Sequence, residues 1–133
     1  MTLDKAGFHR WLTEYGEAWE SRDTERFCAL FTEAAVYYWT PLDPPFVGRS
    51  EIAAAFSGAV STQTEIRFSH QVLAVSGETG ICRWQCSFDR CSRDERVRLD
   101  GVFVVGFDTC GLGREFREWW HSSETRARIP QQP

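Results

Sequence analysis

The sequence predicts an α+β fold, with three N-terminal helices packed on one face of a curved antiparallel β-sheet. Three observations carry this expectation. Apolar residues recur at helical spacing through most of the first sixty residues, with one short β-rich run between them. From residue 64 the period changes to two, although the alternation is broken in FSHQV. Gly-containing turns divide that second half into long strands, so helices come first and a meander follows. Long strands twist. A twisted sheet curling over helices leaves a space that narrows like a cone, and its wide mouth is the natural pocket.

Residues 3–20 read as the first helix, because Phe8, Trp11, Leu12, Tyr15, Ala18 and Trp19 form one stripe. Gly16 inside it costs some stability. Asp23 can cap a short second helix with Phe27, Leu30 and Phe31 on its inner face. AVYYWT, residues 35–40, is rich in β-formers and reads as a strand. Pro41, Pro44 and Pro45 then impose an extended rim loop. Ser50 is the expected cap of a third helix carrying Ile52, Ala55, Phe56 and Ala59 on one side. EIRFSHQVLAVSG reads as a strand, residues 77–80 as a hairpin turn, and ICRWQCSFDR as the next strand. A polar loop from Ser92 to Glu95 leads to VRLDGVFVVGFD, and a turn with Gly111 and Gly113 leads to REFREWWHSS.

The chain has 133 residues, of which 42% are apolar and 14% aromatic, including six Trp and ten Phe. That suffices for one domain with a core, placed at residues 1–124, and it excludes a disordered, collagen-like or disulfide-dense chain. The tail, residues 125–133, carries little apolar material and is expected to fray or to dock on a partner. A net charge of -4 argues against nucleic acid as the main partner, because phosphate binding needs a basic surplus. No apolar run approaches the ~20 residues that span a bilayer, and MTLDKAGFHRW lacks the apolar segment of a signal peptide. The expectation is therefore a cytoplasmic protein with no membrane partner. Cys28, Cys82, Cys86, Cys91 and Cys110 form no CxxC and lack nearby ligands at metal-binding spacing. They read as small buried hydrophobes.

The segments AWESRDTERFCALFTEAAVYYWTP, GRSEI, LDGVFVVGFD and REFREWWH occur in an order and at separations that resemble a known superfamily. It is the nuclear transport factor 2-like (NTF2-like, cystatin-like) cone proteins, and within it the SnoaL-like proteins. The resemblance covers residues 8–122. It implies a deep pocket and often a dimer, but no single reaction, since the fold hosts isomerases, dehydratases, cyclases, epoxide hydrolases and non-enzymes. Compared with ketosteroid isomerase, the Tyr matches Tyr15, while the Asp base falls on Trp39 and the second Asp on Phe103. Asp100 lies on the opposite face. Compared with limonene epoxide hydrolase, the Tyr matches Tyr37 and one catalytic Asp matches Glu118. Its Asn falls on Trp39, and its Arg and other Asp fall on the uncharged Cys82, Trp84, Cys86 and Phe88 face. Compared with scytalone dehydratase, Tyr37 and His70 take the Tyr and His places, and a second His is missing. No complete catalytic set is present.

If Phe103 and Trp84 point inward, alternation sends Leu99, Gly101 and Val105 inward too, with Phe116, Glu118 and Trp120 on the last strand. The expected pocket is then Tyr15, Trp19, Tyr37, Trp39, Trp84, Phe88, Phe103, Phe116, Glu118 and Trp120, with Phe27 and Leu30 from the helices. Such a lining suits an apolar or aromatic molecule oriented by a few polar groups. Glu118 is the sharpest residue in it. A carboxylate facing an apolar space pays desolvation, which raises its pKa toward neutrality and suits acid–base work. Tyr15 and His70 are the other catalytic candidates, and they or Tyr37 would orient the substrate. The same alternation puts Val102, Val104 and Trp119 on the outer face, as an apolar patch suited to a homodimer. The expected function is binding of a hydrophobic small molecule, with acid–base catalysis of the isomerase, dehydratase or cyclase type that uses no metal or organic cofactor. The alternative is a non-catalytic ligand-binding or protein-interaction module. A cavity below ~100 Å³, against ~300–1,000 Å³ for usual ligand sites, would favour the interaction module.

Overall fold

A computed structural model of the chain describes residues 3–91 and 95–124. Asp4 starts helix α1 (Lys5–Ser21) by accepting a hydrogen bond from the Gly7 amide at 2.7 Å, and left-handed Arg22 ends it. Phe8, Trp11, Leu12, Tyr15 and Ala18 form its buried stripe. Gly16 has a packing reason. A Cβ there would lie 2.5 Å from the ring of Phe68, so the helix gives up about 1 kcal/mol of propensity to approach the sheet closely. Asp23 caps α2 (Thr24–Cys28) through the Arg26 amide.

Helix α2 is a single turn, and Leu30 and Phe31 do not belong to it. Phe31 instead opens strand β1 (Phe31–Tyr38), four residues before the expected start. Two interactions pull the chain into the sheet there. Gly113 donates its amide to the Leu30 carbonyl at 2.8 Å, and the Arg49 guanidinium donates twice to the Phe31 carbonyl. A register shift between Phe31 and Val36 breaks the alternation that would have revealed the strand. After the proline rim come β2 (Phe46–Val47) and α3 (Gly48–Val60). Ser50 is not the cap. Val47 occupies that position, and its amide donates to the Glu51 side chain at 2.8 Å.

Strands β3 (Gln63–Ser76), β4 (Thr79–Arg90), β5 (Arg96–Phe107) and β6 (Gly113–Ser122) form the meander. The six-stranded sheet runs β2-β1-β6-β5-β4-β3. Its pairs are antiparallel except β1 with β6, which is parallel. No helix among the described residues is long and apolar enough to cross a membrane. The tail at 125–133 and most of the polar loop after Cys91 lie outside the described residues.

The inner face follows the expected alternation. Cys82, Trp84, Cys86 and Phe88 on β4, Val97, Phe103 and Val105 on β5, and Phe116 and Glu118 on β6 are all buried. On the outer face Val102 stands opposite Trp119, which is 44% exposed. Arg83 pairs with Asp100 at 2.6 Å, and Arg117 lies over the Tyr38 ring at 4.0 Å. The cysteines divide. Cys82 and Cys86 are core residues, Cys28 is half-buried, and Cys91 and Cys110 are exposed, because both sit in turns beyond the strand ends.

Candidate functional site

Helix α3 does not lie flush on the sheet. Its Ile52, Ala55, Phe56 and Ala59 face α1, β1 and the wide end of the sheet across a cavity of about 110 Å³. Tyr15 and Trp19 enter from α1, one turn apart, and Tyr37 and Trp39 enter from β1 and its continuation. Trp84, Leu99, Glu118 and Trp120 form the floor, contributed by β4, β5 and β6. Local structure places each group. Gly101 stands opposite Trp120 and leaves room for the indole, whose N–H donates to the Trp39 carbonyl at 2.9 Å. Trp19 is fixed in the same way, its N–H donating to Gln63 at 2.8 Å.

One polar chain crosses this apolar space. Tyr37 donates its hydroxyl proton to Glu118 Oε2 at 2.8 Å, and the Tyr15 and Tyr37 hydroxyl oxygens are 2.8 Å apart. A phenol has one proton. With Tyr37 donating to Glu118, Tyr15 supplies the proton of the second bond. Glu118 is 6% exposed. Burial pushes its pKa up to about 8, and the Tyr37 hydrogen bond pulls it only partly back. At neutral pH the group is therefore chiefly a carboxylic acid. Burial first, and the charge of Glu118 second, hold Tyr15 and Tyr37 well above the ordinary tyrosine value, so both remain neutral. Among the described residues Glu118 Oε1 takes no hydrogen bond, so this oxygen is available to a ligand. The Trp84 indole N–H, on the same floor, is a buried donor with no partner among the described residues. Such a donor costs roughly 1–3 kcal/mol.

Seven of the ten residues expected in the pocket line it: Tyr15, Trp19, Tyr37, Trp39, Trp84, Glu118 and Trp120. Phe88, Phe103 and Phe116 point inward but do not reach it. Phe116 lies beneath the two tyrosines, stacked on Tyr37 at 4.3 Å and on Tyr15 at 5.5 Å, and Phe103 packs on Trp84 at 4.8 Å. They are core under the floor. Leu30 is also outside it, and its carbonyl accepts from the Trp11 indole.

His70 is not part of this constellation. It stands opposite Trp84 in the β3/β4 pair, but its Nε2 is 2.9 Å from Nδ1 of His9 near the start of α1. Ten residues of α1, roughly 15 Å along its axis, separate His9 from Trp19 at the cavity. Burial, then the neighbouring His9, lower its pKa. Phe46, Val60 and Gln63 are lining residues that the sequence reading did not identify. Phe46 follows the proline rim and Gln63 opens β3, where no periodic signal exists.

Three helices packed on a curved six-stranded sheet, with an apolar cavity and a buried acid between them, define a small α+β cone class of protein. Within it the chain belongs to the SnoaL-like domain family, whose model matches residues 12–116. Two solved structures share the fold. One is SalBIII, described as an epoxide hydrolase/cyclase-like enzyme with a role in pyran ring formation in the polyether salinomycin. It is 18% identical, with a TM-score of 0.77 over 89% of this chain and 93% of that one. The other is RV0760c from Mycobacterium tuberculosis, 13% identical, with a TM-score of 0.74 over 90% of this chain and 94% of that one. No curated protein matches the chain in sequence.

Proposed function

We propose that the protein is a cytosolic, homodimeric cone that binds an apolar small molecule in the Tyr15–Glu118 cavity, with Glu118 as its proton carrier. The carrying observation is the neutral acid at the end of a tyrosine chain, with one oxygen unbonded, on the floor of an otherwise apolar space. Glu118 would give a proton to, or take one from, a group seated on Oε1. Tyr37 holds the carboxyl in place and stabilises its ionised form. Chemistry of this kind covers isomerisation, dehydration and cyclisation, and SalBIII supports the last by analogy of fold. Tyr15 acts through Tyr37 as a positioning residue, and His70 has no role in this mechanism.

At about 110 Å³ the cavity is below the roughly 300–1,000 Å³ of usual ligand sites. It admits a compact group, and a larger molecule would leave its remainder in the mouth beside Trp39 and Phe46. The volume lies just above the ~100 Å³ below which an interaction module would be favoured; the presence of one acid without a second acid or base on the wall is what favours the second reading, a binding module without turnover.

Four of the six tryptophans line the cavity. Tryptophan fluorescence titrated with steroids, terpenes and polyketides therefore reports occupancy. A saturable change with at least one class, lost in Ala59→Phe with the fold retained, is the expected result. No saturable response to any class, or one unaffected by Ala59→Phe, would remove the cavity as the binding site.

The dimer would form through Val102, Val104 and Trp119. Pairs of opposite sign flank this patch, Arg83 with Asp100 and Arg117 with Glu115, so a copy turned by a two-fold axis meets complementary charge. Trp119→Lys is expected to convert a sedimenting dimer to monomer. A monomeric parent protein, or a variant that still dimerises, contradicts this interface.

A further inference from the structure

The wall of the cavity is aromatic and carries a single charge-bearing group. Nine of its sixteen lining residues are aromatic, one is an acid, and none is Lys, Arg or His. An anionic ligand would find no cationic side chain, only the Trp84 N–H as a free donor, and the nearest helix end is the C-terminal, electronegative end of α3 at Ala59 and Val60. A neutral hydrocarbon would be held by burial alone and would leave Glu118 Oε1 without a partner. A cation fits both features. The faces of Trp, Tyr and Phe attract positive charge, most strongly where water is excluded. The lone carboxyl becomes its counter-ion, and Tyr37 already donates to the other oxygen of that carboxyl.

We infer that the ligand carries a compact tertiary or quaternary ammonium head, seated among Trp19, Trp39, Trp84, Trp120 and Tyr37 against Glu118. This rests on the proposal that the cavity is the binding site, and names the chemical class that it takes. The size agrees, because about 110 Å³ suits a small head better than a whole polycyclic molecule. The proton balance is simple. The ammonium enters with its charge, Glu118 loses its proton to solvent, and an ion pair remains inside. With the carboxyl at about 8, roughly nine sites in ten are protonated at pH 7, so deprotonation costs affinity about tenfold and releases close to one proton per site. The ion pair and the aromatic faces must exceed that factor.

Choline and 3,3-dimethylbutan-1-ol are isosteres that differ in one centre, a cationic nitrogen against a neutral carbon. Both are titrated into the full-length protein at pH 7 in weakly buffered solution, with tryptophan fluorescence for occupancy and a pH indicator for protons. Choline is expected to bind at least tenfold more tightly than the alcohol, to release close to one proton per site, and to lose that advantage in Glu118→Gln. Ala59→Phe should block it. Equal or tighter binding of the alcohol, or choline binding without proton release, overturns the inference. If the alcohol or a neutral member of the wider panel binds while choline does not, the ammonium class is wrong and the cavity reading stands. Silence from both isosteres and the whole panel sinks both.

Discussion

At pH 9, Glu118→Gln is expected to gain stability relative to the parent protein, by roughly 3–5 kcal/mol compared with the same pair at pH 4. The sign follows from where the protons sit. In the unfolded chain the carboxyl titrates near 4.5, and in the fold burial holds it near 8. Between those values the folded protein keeps a proton that the unfolded chain has lost. Stability therefore falls as pH rises through that window, and above about 8 the whole penalty of a buried charge is present. Glutamine has the same shape, accepts the Tyr37 hydrogen bond and never ionises. Urea midpoints of both proteins at pH 4, 5, 7 and 9 test this. Parallel pH profiles would mean that Glu118 is not buried as a neutral acid.

Gly101→Ala should be the most damaging small substitution in the sheet. A Cβ at this position would collide with the backbone carbonyl of Trp119, and would lie 2.8 Å from the Cβ of Trp120. Backbone in the middle of a paired strand cannot step aside as a flexible side chain can. The cost is expected at or above the top of the ~1–3 kcal/mol range for overpacking. The damage also has a direction. Trp120 would be pushed off its hydrogen bond to the Trp39 carbonyl, and both residues line the cavity. Thermal melts should show the loss of stability, and the environment of the cavity tryptophans should change with it. A variant as stable as its parent would contradict the Gly101–Trp120 packing.

Much of the sheet was legible in the sequence. Positions 82–88 alternate, and once Trp84 and Phe103 are set inward, strand parity carries Val105, Phe116 and Glu118 to the same face, where all are buried; the apolar run at 102–105 and the Trp119–Trp120 pair do not choose that face by themselves. Facing inward is not the same as lining the cavity. Phe103 and Phe116 lie beneath the tyrosines, which no one-dimensional pattern reveals. His70 shows the same gap along the other axis. The alternation is broken around FSHQV, so its face was not readable, and its place relative to α1 depends on how that helix crosses β3. The break at Phe31 and the parallel β1/β6 pair are tertiary effects too, set by Arg49, Leu30 and Gly113 far apart in the chain. The apolar stripe of α3 was visible from the start. What it faces became apparent only with the sheet in place.

The proton chemistry of the cavity requires Glu118 to be an uncharged acid at neutral pH on its floor. Carbon NMR of the glutamate side-chain carboxyls, followed from pH 3 to 10, reads this directly, with Glu118→Gln to assign the resonance. The prediction is one carboxyl that titrates near 8 and is missing from the variant. If the resonance removed by Glu118→Gln titrates near 4.5, with the other carboxyls, the buried neutral acid does not exist and the proton chemistry proposed for the site fails with it.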